Sequence, residues 1–327
     1  MKSSSKNLRI NNFLKGIDLS KKIILFSFFI IFGCMGSSML MAQSPATGDL
    51  VQSGKQSLPV VSYESVIIVA PPAELGLDPF YKKYADAYGI PVVSSEKVPN
   101  TTLLMVRDII NYMLIKRVDI RDELIRRKAR VSIMAATEME TDLPERSDWK
   151  KPAIDDRRLT PGERENYYKP GGINSMTDKG YWNARARGMG GILTSCAEEN
   201  ILGYPGTRYF GENILVHEFS HNMMGALRKA DPDLYKKVEV AYKAAMDAGK
   251  YKGQYASNTL AEYWAEGTQW WFWSNIEFYD GDTRVQTPDD LKAYDPDLYN
   301  ILDQVYQGHH IPCDVYYSQN IRPARKK

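Results

Sequence analysis

His217-Glu218-Phe219-Ser220-His221 carries the most chemistry per residue in this 327-residue chain. Two imidazoles four positions apart on a helix lie on one face and can hold a single zinc ion, while the carboxylate between them polarises a water. Two of the chain's four histidines stand in this pattern. The bland reading is a pair of core histidines satisfied by hydrogen bonds, and the intervening glutamate speaks against it. A catalytic zinc takes three protein ligands and leaves one position for water. Gly225 falls four residues after His221 and no histidine follows before His309, so the longer pattern with a glycine at three and a third histidine at six is absent.

The surrounding pattern is helical. Gly211-Glu212-Asn213 can open a helix, and Ile214, His217, His221 and Met224 recur at offsets of three and four along one stripe. Apolar Leu215, Val216, Phe219 and Met223 around them predict partial burial, which keeps imidazole nitrogens unprotonated and free for a metal. A second helix is expected from Asn258 to Phe272. In it Glu262 and Glu266 stand one turn apart on an otherwise aromatic segment. Two acids on such a face resist burial unless a cation lies beside them. Zinc for Glu262, and the N–H of a zinc-bound imidazole for Glu266, would meet that need; a solvated acidic face is the alternative.

His217-Glu218-x-x-His221 followed by Glu262-Tyr263-Trp264-Ala265-Glu266 resembles the gluzincin metallopeptidases, most closely the catalytic-domain family of anthrax lethal factor, over about residues 211–273. The resemblance implies an α+β, zincin-like fold, a mixed sheet packed on helices, and one zinc ion per chain held by His217, His221 and Glu262. It also implies Glu218 as general base, Glu266 as support of a ligand histidine, and Tyr255, seven residues before Glu262, as stabiliser of the transition state. The metzincin type is disfavoured by the missing third histidine. The longer pattern with Glu198-Glu199-Asn200 and Gly203-Tyr204-Pro205-Gly206 is similar to secreted zinc peptidases. Nothing in the chain resembles the lethal factor's delivery and substrate-docking domains, so the implied partner is a peptide or protein substrate of unspecified sequence. Two rivals stand beside this reading: a zinc-binding or interaction protein without turnover, and a zinc amidase acting on a cell-wall substrate.

Six basic residues and one acid fall within the first 42, around an uncharged run over 23–32 that continues apolar to Ala42. That arrangement reads as a signal peptide (1–42) and hence an exported chain, secreted, periplasmic or at the cell surface; an uncleaved membrane anchor is the alternative, since the run nearly reaches the roughly 20 residues that span a bilayer. Ile31-Phe32-Gly33-Cys34 is a poor lipid-attachment site because Phe32 is bulky. Without these residues the net charge falls from +2 to −3, and no basic patch points to nucleic acid. Cys196 and Cys313 then remain and could pair as a disulfide in an oxidising compartment. His309, His310 and Cys313 could form a second metal site, although a solvated histidine pair before Pro312 is the better reading.

Residues 43–60 are rich in Ser, Gly, Pro and Gln and read as a linker, leaving 61–327 as one monomeric metallopeptidase domain. Strands are expected over 65–70, 129–135 and 192–195, and an amphipathic helix over 99–116. The sheet edge on which an extended peptide could lie beside the metal is either 129–135 or 192–195. Gly188-Met189-Gly190-Gly191 reads as a turn, and the proline-marked stretch 141–180 as a long loop over the site. The basic run over 116–130, interleaved with Asp119, Asp122 and Glu123, reads as a wet helical face. Asp231-Pro232-Asp233, Thr287-Pro288-Asp289 and Asp295-Pro296-Asp297 each start a helix. Trp264, Trp270, Trp271 and Trp273 are assigned to core packing, because three tryptophans within four residues cannot face one ligand.

Overall fold

β-branched residues build the centre of the sheet. In this computed structural model β1 (Lys83–Ala87), β2 (Ile90–Ser94), β3 (Arg130–Met134), β4 (Gly188–Met189) and β5 (Leu193–Ala197) form one sheet in the order β1-β2-β3-β5-β4. The three inner strands are parallel, with Val92 opposite Val131 and Ile133 opposite Cys196, and both outer strands return antiparallel. Val92, Val131 and Ile133 are fully buried, as a sheet covered by helices requires. The structure describes residues 67–156, 159–308 and 310–319. They lie within the compact unit Pro59–Lys327, so the leader and linker over 1–60 fall outside the described residues.

Helix Asn100–Leu114 carries the chain from β2 towards β3 and buries Leu103, Val106, Ile110 and Met113. Helix Val118–Arg126 follows it and packs on the histidine helix, Ile214–Ala230. The histidine helix in turn packs on β5 and on the glutamate helix, Leu260–Trp271. Proline-started helices Pro232–Asp247, Pro288–Tyr294 and Pro296–Tyr306 complete the core. Each is capped by the residue before its proline, Asp231, Thr287 and Asp295, whose side-chain oxygen accepts a backbone N–H of the first turn. Trp264 and Trp271 are fully buried and Trp270 nearly so, in the same apolar cluster as these helices.

Four expectations change. Of the strand expected over 65–70, residues 65 and 66 lie outside the described residues and the rest forms a single bridge between Val69 and Tyr84; Pro71 and Pro72, which lack an N–H, stop the pairing from running further. Neither 129–135 nor 192–195 is an edge: β3 is central and β5 is covered by the two-residue strand β4, too short to show a period in sequence. The stretch 141–180 is not a bare loop. It contains helix Pro161–Asn166, runs into helix Asp178–Arg185, and has its own apolar cluster of Leu159, Tyr167, Ile173, Tyr181 and Trp182. This cap is anchored by buried Arg146, which pairs with Glu140 and donates to Ser195 Oγ (2.6 Å) and the Leu193 carbonyl (2.7 Å) of β5. Finally, Cys196 and Cys313 are both free thiols: Cys196 is sealed in the sheet between β3 and β4, while Cys313 sits exposed in the turn after the last helix. Near the end His310 is exposed, its ring stacked on Tyr112, and Cys313 is exposed as well; His309 lies outside the described residues.

Alkylation of the unfolded, non-reduced protein followed by peptide mass mapping should find Cys196 and Cys313 each modified. A cross-linked peptide pair joining them would contradict this arrangement.

Candidate metal centre

The site is assembled where the histidine helix starts. Asn213 is its N-cap, with Oδ1 accepting the Val216 N–H at 3.2 Å. Buried Asn200 holds this start in place: its Oδ1 accepts the Ile214 N–H (2.9 Å), and its Nδ2 donates to the carbonyls of Glu212 (2.9 Å) and Tyr209 (3.1 Å). Tyr316 donates to the Asn200 carbonyl at 2.7 Å. On the partner helix, Thr259 caps the N-terminus by accepting the Glu262 N–H at 3.1 Å. The two helices are locked by the Trp264 indole, which donates to the Ser220 carbonyl at 3.0 Å.

Side chains from both helices meet at one point. Glu262 Oε2 lies 3.0 Å from His217 Nε2 and 3.4 Å from His221 Nε2. Glu218 Oε2 stands further out, 4.0 Å from His221 Nε2, so Glu262 is the carboxylate closest to both rings. Four ligands at about 2.0–2.2 Å from a tetrahedral zinc put neighbouring donor atoms about 3.3–3.6 Å apart, near the 3.0 and 3.4 Å that separate Glu262 Oε2 from the two imidazole nitrogens. On its far side His217 Nδ1 bonds Gln269 Oε1 at 2.9 Å, with Glu266 Oε1 at 3.5 Å. Glu266 Oε2 accepts from Asn275 Nδ2 at 2.9 Å. The Tyr255 ring is tilted 34° to the His217 ring at 6.2 Å. His217, Glu218, His221, Tyr255, Glu262 and Glu266 thus all line one cleft of about 1110 Å³.

Charge at this point is finely opposed. Burial alone would keep His217 neutral, yet the bond to Glu262 and the fields of Glu218 and Glu266 raise its pKa to about 10. Burial likewise works against the Glu262 carboxylate, but the two imidazoles hold it well below the usual range. Burial pushes Glu266 up to about 7, with His217 pulling back. Burial first, and then Glu262, raises the Tyr255 phenol, leaving it a protonated donor at neutral pH. The His217 and His221 Nε2 atoms and Glu262 Oε2 are electron-pair donors gathered within 3.0–3.4 Å of the carboxylate oxygen. A proton can bridge one pair of such atoms, whereas a divalent cation can bridge all three, so the donor set fits a metal ion.

The cleft wall explains the glycines of β4 and its turn. A Cβ at Gly188 would fall 2.5 Å from Ile214 Cγ2, and one at Gly190 would fall 2.8 Å from His221 Cβ. Only glycines let the edge strand approach the histidine helix this closely. Across the cleft the cap contributes Ile173, Met176 and Tyr181, and helix Leu260–Trp271 with the hairpin β6 (Phe278–Asp280) and β7 (Thr283–Val285) contributes Trp270 and Phe278. Two groups here escape sequence reading. Gln269 belongs to no motif, although its offsets of seven from Glu262 and three from Glu266 put it on their stripe. Arg187 is buried behind β4, forked onto Glu199 at 2.6 and 2.9 Å.

No family model matches the chain, and no curated protein matches it. Among solved structures, a Pro-Pro endopeptidase from Paenibacillus alvei is similar over 65% of this chain and 96% of that chain, at 15% identity and a TM-score of 0.42. At that level the functional reading rests on the geometry of the site itself.

Asn200→Ala removes the side-chain hydrogen bonds that tie Ile214, Glu212, Tyr209 and Tyr316 together at the start of the histidine helix and should lower unfolding stability by about 2–3 kcal/mol. Equilibrium denaturation checks this; a loss under about 0.5 kcal/mol would mean that the helix start is held by other contacts.

Proposed function

We propose that this chain is a zinc-dependent peptidase that hydrolyses amide bonds of extended peptides laid along the cleft. The observation that carries the reading is the convergence of the Glu262 carboxylate on both imidazoles, since a buried His217 and the half-buried His221 and Glu262, brought together from two helices, are stabilised jointly by a cation. His217, His221 and Glu262 are the metal ligands. A zinc ion held there would supply Lewis acidity towards the substrate carbonyl and would acidify the attacking water.

The protein's own side chains perform the proton work. Glu218, on the cleft side of the ligand cluster, takes the proton of the attacking water and later gives it to the departing amine. Tyr255, a phenol protonated at neutral pH, donates to the oxygen of the scissile carbonyl as negative charge develops there. Both side chains line the same cleft as His217, His221 and Glu262, which supports these roles.

The substrate's backbone has a natural partner in β4. This edge strand leads into Gly190, which lies against His221, and its outer side has no neighbouring strand among the described residues. An extended segment adding to that edge brings its carbonyls past the ligand cluster, with alternate side chains towards the apolar wall of Trp270 and Phe278 or towards the cap. The basic, apolar amino terminus supports export of the enzyme.

Two outcomes follow from this assignment. The purified protein should bind one zinc per chain, and His217→Ala or Glu262→Ala should abolish stoichiometric binding, measured by metal analysis after dialysis. Glu218→Gln should keep the zinc and lose peptide hydrolysis by about 10²–10⁴-fold on a peptide library. A Glu218→Gln enzyme of undiminished turnover would remove the assigned base.

A further inference from the structure

Two acceptors compete for one proton at the back of the ligand cluster. His217 Nδ1 has Gln269 Oε1 at 2.9 Å and Glu266 Oε1 at 3.5 Å, and only the first is within ordinary hydrogen-bond range. We infer that Gln269, not Glu266, is the positioning residue that fixes the tautomer of His217 and thereby turns Nε2 into a metal donor. The inference rests on the reading of the cleft as a zinc site and adds to it a residue for which the sequence motifs give no role.

The amide has one orientation available to it. Gln269 is fully buried, and its other terminus lies 3.0 Å from the Asn213 carbonyl oxygen. A carbonyl oxygen only accepts, so the Gln269 nitrogen must face Asn213 and the Gln269 oxygen must face His217. That oxygen in turn accepts only, so His217 Nδ1 must carry a hydrogen. In a neutral imidazole the lone pair is then on Nε2, the atom directed at Glu262 Oε2. The chain of constraint runs from a backbone carbonyl at the helix N-cap, through one side-chain amide, to the face of the ring that meets the metal. It is closed: Asn213 caps the same helix that carries His217, so the amide ties the ring to its own backbone.

Glu266 is spared this duty by its own partner. Its Oε2 accepts from Asn275 at 2.9 Å, and its Oε1 stays 3.5 Å from His217 Nδ1. Its contribution to His217 is therefore a field behind the ring, whereas Gln269 supplies direction.

Gln269→Leu removes the acceptor and the donor; Gln269→Glu keeps an acceptor facing His217; Glu266→Gln removes the charge and leaves the amide. Zinc affinity of the full chain, measured by competition of zinc alone against a chromophoric chelator, should fall about 10–100-fold in Gln269→Leu. It should stay within a few-fold of the parent in Gln269→Glu, and fall less in Glu266→Gln than in Gln269→Leu. Nitrogen-15 spectra of the zinc-loaded protein, simplified by a total of four histidines, should show the His217 Nδ1 protonated and coupled to its hydrogen. Thermal melting of the metal-free variants reports folding separately. Parent-like zinc affinity in Gln269→Leu, a larger loss in Glu266→Gln, or a hydrogen on His217 Nε2 in the loaded parent would each overturn the inference. Failure of the parent itself to bind zinc would instead sink the metal site.

Discussion

A carboxylate brought from one helix to within 3.0 and 3.4 Å of two imidazoles on another is the constraint on which this molecule is built. Left alone, three such donors in a mostly buried setting would repel or trap a proton. The surrounding structure holds them there regardless. Asn200 and Asn213 fix where the histidine helix begins, Thr259 fixes where the glutamate helix begins, and the Trp264 indole and the Gln269 amide set the distance between the two. The aromatic bulk of the glutamate helix, with Trp264 and Trp271 fully buried, makes that distance resistant to relaxation.

The sheet and the cap serve the same point from outside. β5 is the floor against which the histidine helix packs, and β4 borders the cleft because glycines at 188 and 190 allow backbone to touch helix. The cap stands opposite with its own small core, tied to β5 by the buried Arg146–Glu140 pair. Removing one member of such a pair is costlier than the pair's net worth, since it leaves a buried charge alone. The cleft thus lies between two walls, each with its own packing.

Much of this was legible in the sequence where a local rule applied. Aspartate or threonine before proline marks helix starts at 232, 288 and 296, since the cap and the first-turn proline are short-range chemistry. The spacing of His217, Glu218 and His221 and the stripe of Glu262 and Glu266 likewise reflect one helical period, and all five line the one cleft. What was not legible depends on distant partners. Gln269 is ordinary until Asn213 and His217 are seen on either side of it. Gly188 and Gly190 look like turn residues until the histidine helix is found against them. The cap hid its core among polar residues because Tyr167, Tyr181 and Trp182 meet only after the chain folds back. Cys196 and Cys313 suggested a bridge by being the two remaining cysteines, but the sheet encloses one and leaves the other outside.

The central claim concerns where a metal sits and what holds it. The most direct measurement is a crystal structure of the zinc-loaded protein with anomalous scattering recorded on both sides of the zinc edge. One zinc should appear, about 2.0–2.2 Å from His217 Nε2, His221 Nε2 and a Glu262 oxygen, with its remaining position open to the cleft. Zinc bound elsewhere, or bound to the histidines with the Glu262 carboxylate turned away, would contradict it.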